Sequence, residues 1–310
     1  MVLVQRHFDT RLGLALGVAG SGIGMGIFLV VPLCQVLIDA FGWRWTFRAL
    51  SVLALVWIVP AAWLAVRDDA AAARRGPPAT SGGGAQSVRP GLGATSVRAR
   101  DLALRAAVLT LPFWLIAGAK LLGNVATQTL LVHQAIYLVD QGITPMIAAS
   151  AISLVGMASI VGKTGGGWLS DRVDREVVYV LGMAFVIASI VALRIVARAP
   201  SRWSAYGYAV LIGLGYAVTA SLIPAILSDR FRGPHFGAIF GVAQVGSALG
   251  SALGAWLAGR LFDVTGSYGI ALVVAAAMSL AAAGLIWVAR AVRLGTPSRS
   301  VTRIPAAPAA

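Results

Sequence analysis

The stretch Gly13-Leu-Ala-Leu-Gly17-Val-Ala-Gly-Ser-Gly22-Ile-Gly-Met-Gly26, running on to Asp39-Ala-Phe-Gly42, decides the fold. It recurs 224 positions later as Gly237-Ala-Ile-Phe-Gly241-Val-Ala-Gln-Val-Gly246-Ser-Ala-Leu-Gly250, running on to Asp263-Val-Thr-Gly266. Gly13, Gly17, Val18, Ala19, Gly22, Gly26, Leu33, Asp39 and Gly42 return as Gly237, Gly241, Val242, Ala243, Gly246, Gly250, Leu257, Asp263 and Gly266. Each copy is a glycine-rich apolar stretch, then an Asp and a Gly-containing turn, then a second apolar stretch. A repeat of this kind in an apolar chain points to a protein built from two related halves.

Composition places the chain in a membrane. Of 310 residues, 58% are hydrophobic and 12% charged, with a mean hydropathy of +0.84. Soluble domains carry about 25% charged residues. Several uninterrupted apolar runs reach the roughly 20 residues that cross a bilayer as a helix. They are continuous rather than alternating, which argues against a β-barrel. The expected fold class is an all-α polytopic membrane protein.

A net charge of +14 raises the question of nucleic acid. The basic residues lie between apolar runs and in the tail, with no aromatic-interleaved groove, so no nucleic-acid partner is expected. Cys34 is the only cysteine, which excludes an intrachain disulfide. No metal, cofactor or catalytic constellation is expected, and the chain does not read as an enzyme. Met1–Arg11 is polar and short, and the next apolar stretch is too long for a signal-peptide core.

Eight helices are expected, at about 12–38, 43–66, 106–139, 144–168, 177–198, 204–226, 236–260 and 268–292. The domains follow as 1–66 (two spans closing one bundle), 67–104 (a flexible linker), 105–292 (a six-helix bundle) and 293–310 (a tail). The linker contains Arg74-Arg75-Gly-Pro-Pro, Ser81-Gly-Gly-Gly and Arg89-Pro-Gly, a composition that cannot bury a core. The larger share of the 25 Lys and Arg falls on the side of the N-terminus, linker, Lys163-to-Arg175 loop, Arg230 and tail. That bias predicts a multi-pass plasma-membrane protein with both termini cytoplasmic.

These features together resemble the major facilitator superfamily, whose members have two six-helix halves joined by a cytoplasmic linker. The resemblance covers helices five to twelve. Phe8-Asp-Thr-Arg11-Leu-Gly13 through Gly22 resembles the junction of helices four and five. Gly42-Trp-Arg-Trp-Thr-Phe47 is similar to the start of helix six. Gly167-Trp-Leu-Ser-Asp171-Arg172-Val-Asp174-Arg175 resembles the loop signature between helices eight and nine. Asp174 stands there for the usual glycine and Glu176 for a usual basic residue. The alignment implies that the first four helices of the first half are absent from this sequence, an expectation that leaves open a non-transporting remnant or a mis-started gene.

Within the superfamily the nearest likeness is to the monocarboxylate and oxalate–formate carriers. Val132-His133-Gln-Ala-Ile-Tyr137-Leu resembles the outer end of their helix seven. Gly162-Lys163-Thr-Gly-Gly-Gly167 is similar to the place where they carry a substrate-anion arginine. The resemblance implies secondary transport of a small organic anion by alternating access, with a coupling proton an open partner. Ser159 stands where some members have a carboxylate. An exporter of hydrophobic compounds is a further alternative.

Asn124, Thr127 and Gln134 fall within about 40° of Lys120 on either side around a helix, one polar stripe on an apolar rod. An unpaired cation at mid-membrane costs roughly 2.5–3.5 kcal/mol on insertion scales. Lys120 therefore either snorkels to the interface or serves a substrate pathway, with Lys163, Asn124 and Gln134 as its partners there. Lys163 also reads as an interfacial charge. His133 and Tyr137 are an i, i+4 pair that either anchors at the interface or gates. Gly167, Asp171, Arg172 and Arg175 form either a cytoplasmic latch, with Asp229 and Arg230 as candidate partners, or a solvated loop. Gly162-Lys163-Thr164 is not a phosphate loop, because Met157 stands where that motif needs glycine and no strand precedes it.

Overall fold

The computed structural model describes residues 12–75, 104–231 and 236–295. The N-terminal arginines, most of the expected linker, Arg232 and nearly all of the expected tail lie outside the described residues, as does the start of the Phe8–Gly22 resemblance.

The described residues are helical, joined by short turns. The helices are α1 (Leu12–Arg75), α2 (Leu111–Asp140), α3 (Pro145–Ser170), α4 (Arg175–Arg198), α5 (Arg202–Phe231), α6 (Phe236–Thr265) and α7 (Gly269–Gly295). Between their end turns, helices satisfy their backbone polar groups internally, which an apolar surrounding requires. The seven apolar helices account for the expected eight, because α1 runs through the first two. It is interrupted at Gly42, whose φ of 75° and ψ of 161° lie outside the helical range. The apolar run Gly13–Pro60 is 48 residues long, enough for two crossings with Gly42 between them.

Gly42 and Gly266 are partners in the repeat, and both have positive φ, 75° and 65°. The repeated turn thus keeps a backbone conformation that glycine adopts without a Cβ penalty. Gly142, at φ 86°, does the same between α2 and α3. Pro112 and Pro145 start α2 and α3, where a missing amide costs nothing. α1 continues to Arg75, nine residues into the expected linker, because Ala70–Ala73 favours helix over coil.

α1 packs on α3, α3 on α5 and α5 on α4, while α2 lies between α6 and α7, and α7 also meets α4. Buried apolar side chains form two clusters at different heights. One surrounds Tyr208, Leu193 and Leu138, and the other surrounds Phe113, Tyr179 and Leu222. Residues 120–128 of α2 and 216–223 of α5 lie at the junction of the two.

The two copies of the repeat use different edges. In α1, Gly13, Gly17 and Gly24 lie against the backbone of α3 at Gly167, Lys163 and Gly156. In α6, Gly250 and Gly254 lie against the carbonyls of Leu121 and Val125 in α2. Gly22 and Gly26 of α1, the repeat partners of Gly246 and Gly250, have nothing within 4 Å of an added Cβ. Nearly all of residues 41–60 is also exposed.

Candidate functional site

A cavity of about 200 Å³ opens where the two core clusters meet. Lys120, Asn124 and Thr127 of α2 line it, with Tyr179 of α4, Tyr216 and Thr219 of α5, and Ser247 of α6. Lys120 makes no hydrogen bond or ion pair among the described residues. Its nearest aromatic neighbour is Phe240, with Nζ 5.9 Å from the ring centroid. Asn124 is held by α6, its Nδ2 donating to the Ser247 carbonyl at 3.0 Å and also to the Ser247 hydroxyl. Thr127 donates back to the Gly123 carbonyl at 2.9 Å. Tyr216 has a buried hydroxyl without a hydrogen-bond partner.

Gln134 does not join them. Its Oε1 accepts from Tyr208 Oη at 3.2 Å and its Nε2 donates to the Leu131 carbonyl, inside the upper core cluster. The wheel places Gln134 on the right side of α2, but it is nearly four turns beyond Lys120, past the cavity's height. An angular projection contains no height, so the stripe looked continuous.

Lys163 is 3% exposed and lies outside the cavity lining. Its Nζ donates to the Gly20 carbonyl of α1 at 3.0 Å and sits 5.5 Å from the Tyr216 ring centroid. Tyr216 therefore separates the two lysines, facing Lys163 on one side and lining the cavity on the other. Proximity of α1 is what permits the contact: an added Cβ on Gly17 would collide with the Lys163 carbonyl.

At the α3–α4 turn, Asp171 caps α1. Its two carboxylate oxygens accept from the amides of Gly13 at 2.9 Å and Leu14 at 3.0 Å. These are donors without an acceptor inside their own helix, at its positive end. Gly167 lies against the Gly13 carbonyl. Arg175 bridges to Asp229 at 2.8 Å and to Asp171 at 3.9 Å. Arg172 departs from the expected cluster. It is exposed and curls back over Trp168, one turn earlier, at 3.8 Å. Arg230 turns instead to Glu176, at 3.9 Å, and to the Ala289 carbonyl. Asp174 and Glu176, the two departures from the family pattern, thus have ionic partners: Asp174 pairs with Arg290 at 2.7 Å.

At the opposite end, His133 lies between Tyr268 Oη, at 3.2 Å, and the Ala255 carbonyl, at 2.9 Å. A carbonyl only accepts, so Nε2 donates to Ala255 and a neutral ring leaves Nδ1 to accept from Tyr268. Tyr137 is 7% exposed and donates to the Leu193 carbonyl at 3.1 Å. Both side chains are tied into helix contacts. The sequence reading did not single out Tyr216, Tyr179, Ser247 or Tyr268. A hydroxyl-bearing aromatic in mid-helix, as at 216, is the signal that could have found the first.

Among the described residues, no group of three or more His, Cys, Asp or Glu is placed to hold a metal.

The described residues form a multi-pass helical bundle with a polar-walled cavity where its two core clusters meet. The Major Facilitator Superfamily profile matches residues 1–255 and again 136–309, and the chain belongs to that family. It is 30% identical over 295 residues to monocarboxylate transporter 13 of Bos taurus, covering 92% of this chain and 62% of that protein. It is 27% identical to monocarboxylate transporter 12-B of Danio rerio (86% and 58% covered) and 28% identical to monocarboxylate transporter 3 of Rattus norvegicus (87% and 52%). The chain spans between half and two thirds of the length of these relatives.

Proposed function

We propose that the chain works in secondary transport of small organic anions of monocarboxylate type, by alternating access. Lys120 carries this reading: a cation that makes no ion pair among the described residues lines a half-open, polar-walled cavity at the junction of two apolar clusters. A small carboxylate there would find its counter-charge at Lys120 and hydroxyl donors at Tyr216 and Ser247, the hydroxyls of Tyr179 and Thr219 being engaged by the carbonyls of Ala119 and Gly215. The names of the similar proteins supply the substrate class.

In this reading Lys163 acts between the bundles. Its bond to the Gly20 carbonyl ties α3 to α1 across a close glycine-lined contact. An anion that draws the ammonium toward Tyr216 would release α1. His133 and Tyr137 brace helices, and the Asp171–Arg175–Asp229 cluster latches the end proposed to be cytoplasmic, together with both termini. The exporter alternative required both lysines to snorkel, and the burial of Lys163 against α1 speaks against it. The plasma membrane is the proposed location.

The test is uptake of labelled monocarboxylates into proteoliposomes holding the purified chain. Uptake undiminished by Lys163→Ala would remove Lys163 from the pathway, and undiminished uptake by Lys120→Ala would remove the anion site itself. No uptake by the unsubstituted chain would favour the non-transporting reading.

A further inference from the structure

A cavity of about 510 Å³, larger than the one around Lys120, lies at the other end of the bundle from Asp171. It is enclosed by the end of α2, the last turns of α4 and the α6–α7 turn, away from the contact of α1 with α3. Its size falls within the range of small-molecule sites. Its lining includes one charge of each sign, Arg194 and Asp140. Both are exposed, and neither is in an ion pair among the described residues.

Polarity is separated across this cavity. Arg194 Nη1 lies 3.8 Å from where a Cβ on Gly269 would be, so the guanidinium stands over the N-terminus of α7. That helix end carries partial positive charge and amides without intrahelical acceptors. Asp140 is the last residue of α2, whose C-terminus carries partial negative charge. Between them stand tyrosine rings. Tyr137 and Tyr268 meet edge to face at 5.8 Å, and Phe262 stacks on Tyr268 at 4.5 Å. Both tyrosine hydroxyls are engaged elsewhere, at Leu193 and His133, which leaves ring surface for the cavity. Burial and the carboxylates of Asp140 and Asp263 hold the Tyr268 hydroxyl above its ordinary range, a sign of the negative field on that side.

We propose that this cavity binds a zwitterion, its anionic group held by Arg194 and the first turn of α7, its ammonium by Asp140 and the faces of Tyr137 and Tyr268. Guanidinium with a helix N-terminus selects phosphate or carboxylate. Carboxylate with aromatic faces selects an alkylammonium. The ligand is the phosphoethanolamine headgroup of a lipid or a free zwitterion of the same chemistry. The inference is independent of the transport reading, since it involves neither lysine.

Native mass spectrometry of the purified chain with dioleoyl-phosphatidylethanolamine or dioleoyl-phosphatidylglycerol tests it. The expected result is at least fivefold higher retention of the ethanolamine lipid, lost in both Arg194→Gln and Asp140→Asn. Ala197→Trp, which fills the cavity and leaves both charges, should abolish retention too. A stabilising thermal shift with glycerophosphoethanolamine, lost in the same variants, would support a free zwitterion as ligand, whether or not the lipid is retained. Selective retention of the ethanolamine lipid without that shift would support the lipid headgroup. Without such a shift, equal retention of both lipids or retention of neither overturns the proposal. So does loss in Arg194→Gln with Asp140→Asn unchanged, which would mark a plain anion site.

Discussion

Lys163 of α3 donates from Nζ to the carbonyl of Gly20 in α1, 3.0 Å away, and this bond ties α1 to α3. Hydrogen bonds to a charged group are worth about 1.5–3 kcal/mol, but burying the ammonium carries an opposing desolvation cost. Lys163→Met, close in length and without charge, is therefore expected to change stability by less than about 1 kcal/mol. Its uptake of monocarboxylates should fall at least about tenfold, equivalent to 1.4 kcal/mol. Thermal unfolding in detergent and proteoliposome uptake, measured on the same preparation, check both halves.

Lys120 is the second charge to test. Lys120→Met removes an intramembrane cation that costs roughly 2.5–3.5 kcal/mol on insertion scales, so the amount of folded protein should rise. Uptake should be lost. Lys120→Arg should retain part of it, because the charge stays while the donor geometry changes. A variant that both expresses better and transports normally would contradict the assignment.

The glycine edges separate by position. Gly17→Ala puts a methyl into the Lys163 carbonyl, and Gly250→Ala puts one into the Leu121 carbonyl. Each should cost about 1–3 kcal/mol through overpacking. Gly22→Ala and Gly26→Ala meet open space and should stabilise the helix by about 0.5–1 kcal/mol. Unfolding midpoints of the four variants give the order directly.

Asp171 and Arg172 are adjacent but should behave differently. Asp171→Ala removes the cap of α1, a change worth about 0.5–2 kcal/mol. It also removes one partner of Arg175. Arg172→Ala loses an exposed contact with Trp168, worth about 0.5–1 kcal/mol at most. A Cys pair introduced across α1 and α3 should cross-link more slowly in Asp171→Ala and at the unchanged rate in Arg172→Ala.

Much of the fold was legible because apolar length and turn chemistry are local properties. The helix ends at Pro145, Arg198 and Phe236 are carried by proline, Ala-Pro-Ser and a glycine-rich restart. The break at Gly42 was legible through its repeat partner Gly266. The site was legible only in part. Lys120, Asn124 and Thr127 reach one cavity, since residues within two turns of a helix share height as well as angle. Gln134 does not, and no spacing rule reports what stands opposite it.

The chain by itself determines the membrane class, the helices and the repeat, because these follow from hydrophobic length and from glycine's conformational freedom. Only the tertiary structure decides which edge of each repeat copy is used. α1 turns Gly13, Gly17 and Gly24 to α3, and α6 turns Gly250 and Gly254 to α2. The two related motifs share their glycine spacing and turn chemistry, so their partners are set by what the remaining helices bring alongside. The same holds for the two lysines: both are cations on apolar helices in the sequence, and only packing gives one a carbonyl and leaves the other facing a cavity.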